Sequence, residues 1–530
     1  MYIVRPDFHL APSSLTNKDH FSTIQSLGGS TLSEHLRRFV QELASAGYQL
    51  DRSAFDYLRT MKDPEVSSVA KTVLVTIGEK PKAKTILTKK ELLEMSPPEA
   101  SSKVDVAVPV ALQIPSKQIS SRIEVLRDPS DNIGTGGKVE DFSHYFRDRF
   151  QKTTSVFRVR QDVRDASTIS AALQTPLKGK VKFLAMTVEK RERRQKIFLQ
   201  MDDLEDSLTV LASPEERDAF EIAQKVPLDQ VVCVEGLRSQ GDLIVAKHIL
   251  LPDIPDHKPR LAKEEVWAVL LSDLHVGSKK FLAEQMSRVF DWLNLKVGNH
   301  NQREIASRTK YVILCGDIVD GIGIYPRQEQ ELAIVDLYDQ YKEAAKYISR
   351  IPDHIETIMV PGNHDAVRQA MPQPRLPRDF GEPLYEARKL ISLGNPSEVS
   401  LHGVRFLLHH GRSLDDLIAG VPSMDFTQPE KAMRLQLQCR HLVPEYGKRT
   451  AIAPEKEDHL VIQDVPDVFQ SGHIHIVKFE NYRGCQIVNS GAWQAQTDYQ
   501  RRGGLIPTPG ILTTVNLRTL QVHPIDFMSG

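Results

Sequence analysis

The sequence predicts a multidomain chain: an α/β domain in the last half, a small β-barrel before it, and a helical module at the start. Three observations carry this. The chain has 530 residues, a length that suggests about three or four domains. From Val266 onward, apolar strand-like runs alternate with polar helical stretches, the rhythm of an α/β sheet. Before that, short β-rich runs punctuated by glycine follow one another at barrel-like spacing. Hydrophobic residues at 40% and charged residues at 26% exclude a disordered or fibrous chain. The longest apolar run of interest, Val266–Leu271, is too short for a membrane span. The opening MYIVRPDFHLAP lacks the basic and apolar regions of a secretory signal. Cys233, Cys315, Cys439 and Cys485 form no CxxC, so neither a zinc knuckle nor a disulfide framework is expected, and the reading is cytoplasmic. Lys+Arg 68 against Asp+Glu 69 gives a net charge of −1. Any contact with nucleic acid must therefore come from local patches.

Residues 1–80 read as the helical module. Thr31-Leu32-Ser33-Glu34 is a capping-box pattern. Leu32, Leu36, Phe39, Val40 and Leu43 follow at helical spacing, with Gly47 as a stop. A second helix runs through Phe55 and Leu58 and ends before Pro64. Residues 81–140 change texture: lysines, Ser96-Pro97-Pro98, then Gly134-Thr135-Gly136-Gly137-Lys138 predict a flexible linker. The glycine cluster is no phosphate loop, because Val139 stands where Ser or Thr is needed. Residues 141–255 carry the barrel. Phe142, Tyr145, Phe146, Phe150 and Phe157 recur among Arg147, Arg149 and Arg158 at helical spacing, which predicts core packing ahead of base stacking. Val181–Val188, Lys196–Met201, Ser207–Leu211, Gln230–Leu237 and Leu243–Leu250 read as five strands, with a helical insert near Pro214–Ala223. This fits a barrel of the OB type. Lys190, Arg191, Arg193, Arg194 and Lys196 crowd one hairpin tip, as a solvated turn or as a rim that follows phosphates. Pro252, Pro255 and Pro259 mark a boundary, and 260–530 form the α/β domain.

The chemistry lies there. Twelve of the 18 histidines fall at or beyond His275. Five strand-like segments each end in ligand-type residues: Asp273 and His275; Asp317; Asn363, His364 and Asp365; His409 and His410; His473 and His475. In open α/β sheets, ligands gather beyond the carboxyl ends of strands. Asp273 and His275, two apart on an extended chain, would point the same way. Burying so many imidazoles and carboxylates without an ion would leave costly polar groups. A nitrogen and oxygen donor set without thiolate suits manganese, iron or zinc better than magnesium or calcium. Arg368 and Arg412, just past the third and fourth clusters, are candidates to pair with phosphate oxygens.

DLH, GDIVDG, GNHD, HHG and GHIH reproduce the signature of the calcineurin-like metallophosphoesterases. The phrases LLSDLHVGS, PGNHDAVRQA, HHGRSLDD, RHLVPEYGKRTAIAPE and PDVFQSGHIH more closely resemble the small, proofreading exonuclease subunits of archaeal D-family DNA polymerases. The resemblance implies a four-layer α/β metallophosphoesterase domain behind the barrel. It implies two divalent transition-metal ions, manganese first and iron or zinc as alternatives, bridged by Asp317. Asp273, His275, Asp317 and His475 would hold one ion, and Asp317, Asn363, His410 and His473 the other. His410 is chosen over His409 because the family's ligand directly precedes glycine. His364 would act unliganded beside the scissile phosphate, while Asp320 and Asp365 orient the site. The implied activity is 3′→5′ exonuclease proofreading on single-stranded or mismatched 3′ ends of DNA. The implied partner is a large catalytic polymerase subunit, with no membrane involved. Two rivals stand beside this. A phosphomonoesterase or protein phosphatase carries arginine after the GDxxD aspartate, where this chain has Gly321-Ile322. A silent scaffold, like the noncatalytic accessory subunits of eukaryotic polymerases, lacks ligands that are all present here.

Overall fold

The computed structural model describes residues 34–45, 48–61, 66, 69–70, 72–74, 86–95 and 114–529. The chain divides into two compact units, Met1–Ala111 and Leu112–Gly530. In the first, the helix Glu34–Ser45 buries Leu36, Phe39 and Leu43. The helix Arg52–Arg59 is capped by Asp51, whose carboxylate accepts the Ala54 N–H at 2.7 Å. β1 (Gln49–Leu50) pairs in parallel with β2 (Ile86–Leu87), and the helix Lys89–Met95 follows. Leu58, Leu87 and Leu92 join one small core. Thr31, Leu32, Gly47 and Pro64 lie outside the described residues.

The flexible linker expected over 81–140 is not what the structure holds at either end. β2 and its helix complete the core of the first unit. At the other end β3 (Ile123–Arg127) pairs antiparallel with a strand near residue 400. Its five residues carry no clean alternation of burial, so no local pattern marked it; only a partner some 270 residues away makes it a strand.

In the second unit, the helix Val139–Arg158 precedes a closed five-stranded barrel: β4 (Lys180–Arg193), β5 (Lys196–Asp202), β6 (Ser207–Ala212), β7 (Val231–Arg238) and β8 (Leu243–Leu250). Their order is β4-β5-β6-β8-β7, with β6 and β8 parallel and the helix Arg217–Lys225 between β6 and β7. All five strands and the insert fall where alternation and glycine punctuation predict them. At the basic hairpin tip, Arg194 and Gln195 turn the chain with φ of 50° and 61°. Lys190 donates back to the Gln224 carbonyl at 2.6 Å and Arg191 pairs with Glu189, so two of its five cations serve the barrel itself.

Two six-stranded sheets follow. One runs β12 (Ile391–Ser392), β11 (Glu356–Val360), β10 (Thr309–Cys315), β9 (Trp267–Leu271), β18 (Ile511–Asn516) and β19 (Val522–Asp526); its β9 to β12 are parallel. The other runs β16 (Lys478–Tyr482), β17 (Cys485–Asn489), β15 (Val468–Ser471), β14 (Val404–Leu408), β13 (Ser397–Leu401) and β3. Leu270, Ile313 and Ile358 of the first sheet share a core with Val399, Phe406 and Val468 of the second. Val269, Val312 and Met359 pack on the opposite side against the helices Ala283–Leu293 and Leu337–Ile348. Leu407, Phe469 and Ile487 instead share a core with the helix Pro429–Cys439 and with the barrel's Phe183 and Leu199. The boundary that the prolines suggest is therefore crossed by one continuous core.

Candidate metal centre

The five predicted clusters follow β9, β10, β11, β14 and β15 at their carboxyl ends. Backbone bonds stitch the loops together: Asp273 N–H to Gly316 O at 2.9 Å, His275 N–H to Asp317 O at 3.1 Å, and Gly472 N–H to His410 O at 2.7 Å. The extended geometry expected for Asp273 and His275 is not present. Both have φ of 52°, and Asp317, His473 and His475 also lie in the left-handed region, at 53°, 67° and 62°. Non-glycine residues avoid this region, and where they occupy it the surrounding structure must hold them. Three glycines clear space: a Cβ on Gly316 would strike the His410 ring, one on Gly362 the Asp317 carboxylate, and one on Gly472 the Asp273 carboxylate.

Three groups of donors form, each with ligand atoms within 4.8 Å of one another: Asp273, His275 and His475; Asp317, His410 and His473; and His275, Asp320 and His364. His275 Nε2 and His475 Nε2 are 3.0 Å apart, and His475 Nε2 is 3.4 Å from Asp273 Oδ1. Asp317 Oδ2 faces His410 Nε2 at 3.1 Å and His275 Nε2 at 3.8 Å, so it lies between the groups.

Outer partners fix the rings. His275 Nδ1 lies 2.9 Å from Asp320 Oδ1. A carboxylate accepts, so Nδ1 carries the proton and the Nε2 lone pair faces the cluster. His410 Nδ1 likewise donates to the Cys315 carbonyl at 2.9 Å. Its Nε2 is buried without a hydrogen-bond partner among the described residues, and so is Asn363 Oδ1. His473 donates its backbone N–H to both Asp273 oxygens at 3.0 Å, and its Nε2 lies 3.1 Å from Asp415 Oδ2. His364 Nδ1 donates to the Asp320 carbonyl at 2.6 Å, and its Nε2 stands 3.9 Å from Asp317 Oδ2.

His409 points away. Its Nδ1 meets Asn395 Oδ1 at 3.0 Å and its Nε2 meets Ser413 Oγ at 3.2 Å. Burial and the neighbouring His410 push it down to about 3. Burial opposes charge on His410 too, but Asp317 outweighs it and raises His410 to about 9. Burial likewise opposes ionisation of Asp317, yet the facing His410 and His364 hold its carboxyl well below the usual range. Asp365 differs: burial, then the charge of Asp317, raise it to about 6. Its oxygens accept the Gly362 N–H at 2.8 Å and the Ile318 N–H at 3.2 Å.

Arg368, a candidate to meet phosphate, is paired within the protein. It donates to the Pro372 carbonyl at 2.9 and 2.6 Å and pairs with Glu455 at 2.7 Å, so its guanidinium is engaged in holding the loop. Arg412 donates to Gln369, which donates to the Asn363 carbonyl at 2.8 Å, and so borders the cluster. Two partners escaped sequence reasoning. Asp415 stands five residues past His410 within HHGRSLDD and could have been read there. Gln500, 2.9 Å from His475 Nδ1, carries no sequence signal.

A family model for the B-type subunits of DNA polymerases alpha and epsilon matches residues 268–479. All seven predicted donors and His364 lie inside that segment. The DNA polymerase II small subunit of Archaeoglobus fulgidus is 40% identical over 388 residues, covering 73% of this chain and 77% of its own. That of Methanothermobacter thermautotrophicus is 34% identical over 487 residues, covering 91% and 98%. The chain belongs to the small-subunit family of archaeal D-family DNA polymerases. As a member of that family it shares with the second relative nearly its whole length. Among the described residues, no helix of this small subunit is long and apolar enough to cross a membrane.

Proposed function

We propose that this small subunit hydrolyses DNA phosphodiester bonds as a 3′→5′ exonuclease. In this reading it proofreads for a large catalytic subunit, on a four-layer metallophosphoesterase domain joined to an OB-type barrel. The barrel order 1-2-3-5-4, with a helix before the fourth strand, supports the second assignment. The observation that carries the activity is the Asp317 carboxylate, which lies between two donor groups and faces His410 Nε2 at 3.1 Å, with Asn363 Oδ1 buried nearby and without a hydrogen-bond partner among the described residues. At that distance either a proton on His410, which Asp317 favours, or a cation must lie between the two atoms, and a bound ion would take the proton's place.

The donors fit two divalent ions: Asp273, His275, Asp317 and His475 for one, and Asp317, Asn363, His410 and His473 for the other, manganese being the choice and iron or zinc the alternatives. Such ions, when bound, acidify water and neutralise charge on the attacking and leaving oxygens of an in-line displacement. The chain's own residues do the rest. Asp320, Cys315 and Asp415 set three ring orientations through the far nitrogens of His275, His410 and His473. His364 is held through Nδ1, which leaves Nε2 free to protonate the departing 3′ oxygen. Arg412, on the border, is placed to meet a phosphate oxygen. The full donor set, with Gly321 after Asp320, favours this reading over a silent scaffold or a phosphatase. Incubation with end-labelled single-stranded and mismatched DNA plus manganese tests it: labelled mononucleotide should leave the 3′ end. Release from the 5′ end, or none, overturns it.

A further inference from the structure

Two tyrosines stack at the edge of the donor cluster. The rings of Tyr325 and Tyr499 have centroids 5.4 Å apart and planes 28° from parallel, an offset stack. Each is tied to the cluster through a neighbour. Tyr499 sits on the helix Asp498–Arg502 beside Gln500, the partner of His475. Tyr325 follows Ile324, whose N–H donates to Gln328 at 2.9 Å, and Gln328 donates to the Asp320 carbonyl at 2.7 Å. The Tyr325 hydroxyl donates to Glu331 at 3.2 Å, which fixes that ring from its far end.

Tyr499, by contrast, is 60% exposed. A core contact would cover both faces of such a ring, whereas Tyr325 stacks on this one and most of the residue still stays exposed. Ile322, three residues before Tyr325, and Ile506, seven after Tyr499, are also exposed, at 44% and 76%. Arg327 follows Tyr325 by two residues, and Arg502 follows Tyr499 by three, on the same side of the helical turn. Both are exposed, and neither has an ion pair among the described residues. A chain of net charge −1 gains little from long-range attraction to DNA, so its grip must come from such local features.

We infer that the exposed ring of Tyr499, backed by Tyr325, is a stacking platform for an unpaired base of the DNA strand whose end reaches the donor cluster. The inference rests on the nuclease reading above for the identity of the strand. Every base has a π face, so a stacking platform accepts any sequence, as an enzyme that removes whichever nucleotide was misplaced requires. In duplex DNA both faces of an internal base are already stacked, so the platform selects unpaired ends.

The test is an abasic scan. Single-stranded oligonucleotides, intact or with one abasic position moved stepwise from the 3′ end, are bound to the full chain, read by fluorescence anisotropy with a chelator present to keep the strand whole. Tyr499→Ala should weaken binding of the intact strand about tenfold, within the range that one stacked base supplies. At one position the abasic strand should cost the wild type a similar factor and cost Tyr499→Ala nothing. Tyr499→Trp should bind as the wild type does. A scan that is flat at every position overturns the platform, as do losses from Tyr499→Ala and the abasic site that multiply independently. Should Tyr499→Ala not fold, the wild-type scan and Tyr499→Trp still decide. Shortening of end-labelled DNA is scored separately. A positive scan without shortening keeps the platform and removes the exonuclease reading, and shortening with a flat scan does the reverse.

Discussion

Two buried clusters of histidine and carboxylate in this molecule differ in one respect that separates structure from chemistry. In the first, Arg149 donates to Asp458 at 2.7 Å, to the Pro444 carbonyl at 2.6 Å and to the Tyr145 hydroxyl at 3.1 Å. His441 meets the same Asp458 oxygen at 2.8 Å, while its Nδ1 accepts the Val443 N–H. The protein meets the needs of every group there. The second is the donor cluster, where Asn363 Oδ1 has no hydrogen-bond partner among the described residues, imidazoles crowd to within 3.0 Å of each other, and five residues of the donor groups sit at positive φ. A satisfied network fastens the helix Val139–Arg158 to the segment that follows Arg440. A strained one with an unpartnered buried oxygen is the kind of arrangement that the proposed metal binding would account for.

The comparison breaks most visibly at Asp317. Asp317→Ala should lower DNA hydrolysis by at least about 10²–10³-fold, the loss typical of removing one preorganised charge-stabilising group. It should also release metal from both positions on dialysis. Full retention of metal and activity would end the bridging assignment. His364→Ala should cost about 10²–10⁴-fold in single-turnover cleavage while metal content holds. A substrate with sulfur in place of the scissile 3′ oxygen, whose thiol pKa is about 8.5 and which leaves without a proton, should recover most of that loss. No recovery would remove His364 as the proton donor.

On the structural side, Arg149→Met leaves Asp458 without its main counter-charge, and should lower unfolding free energy by about 3–5 kcal/mol in denaturant titration. The surviving folded chains should bind metal normally. A loss of under about 1 kcal/mol would put the pair in the class of exposed ion pairs. Asp415→Asn sharpens the contrast at an outer partner: metal affinity, read by competition with a fluorescent chelator, should fall about 10–100-fold. Unchanged affinity would make Asp415 a bystander.

The smallest effect is in pH. Burial, then the charge of Arg149, push His441 down to about 4. The unfolded chain, with histidine near 6.5, then binds more protons than the folded one between these values. Stability should therefore fall as pH drops from about 6.5 toward 4, with a slope of up to about 1.4 kcal/mol per pH unit from this group. His441→Gln should flatten that slope in acid-unfolding curves, and a slope unchanged by the substitution would assign it elsewhere.

The identities of the donors were legible because their chemistry is local: each follows a short apolar strand that ends in Gly-Asp, Asn-His-Asp or Gly-His. The barrel strands were legible for the same reason, since alternation of period two needs no knowledge of partners. His410 over His409 came from resemblance, and the structure gives its reason in the hydrogen bonds that occupy both nitrogens of His409. For Arg368 the sequence left the partner open, because a cation beside a motif looks the same whether it faces phosphate or a backbone carbonyl, and the structure shows it on Pro372 and Glu455.

By itself, then, the sequence determined which strand-end segments bring imidazoles and carboxylates to one edge of the sheets. Only the tertiary structure decided three things. It made β3 a strand, because a single edge pairing with β13 across the chain outweighs a linker-like composition. It turned Asp273 and His275 inward through left-handed backbone held by Gly316 and Asp317, not through an extended strand. It also supplied Asp415, Cys315 and Gln500 as the groups that orient the imidazoles. A ring's far nitrogen needs only one acceptor or donor at about 3 Å, and many residues anywhere in the chain can provide it, so that, beyond Asp415 with its place in HHGRSLDD, spacing in the sequence holds no trace of which one does.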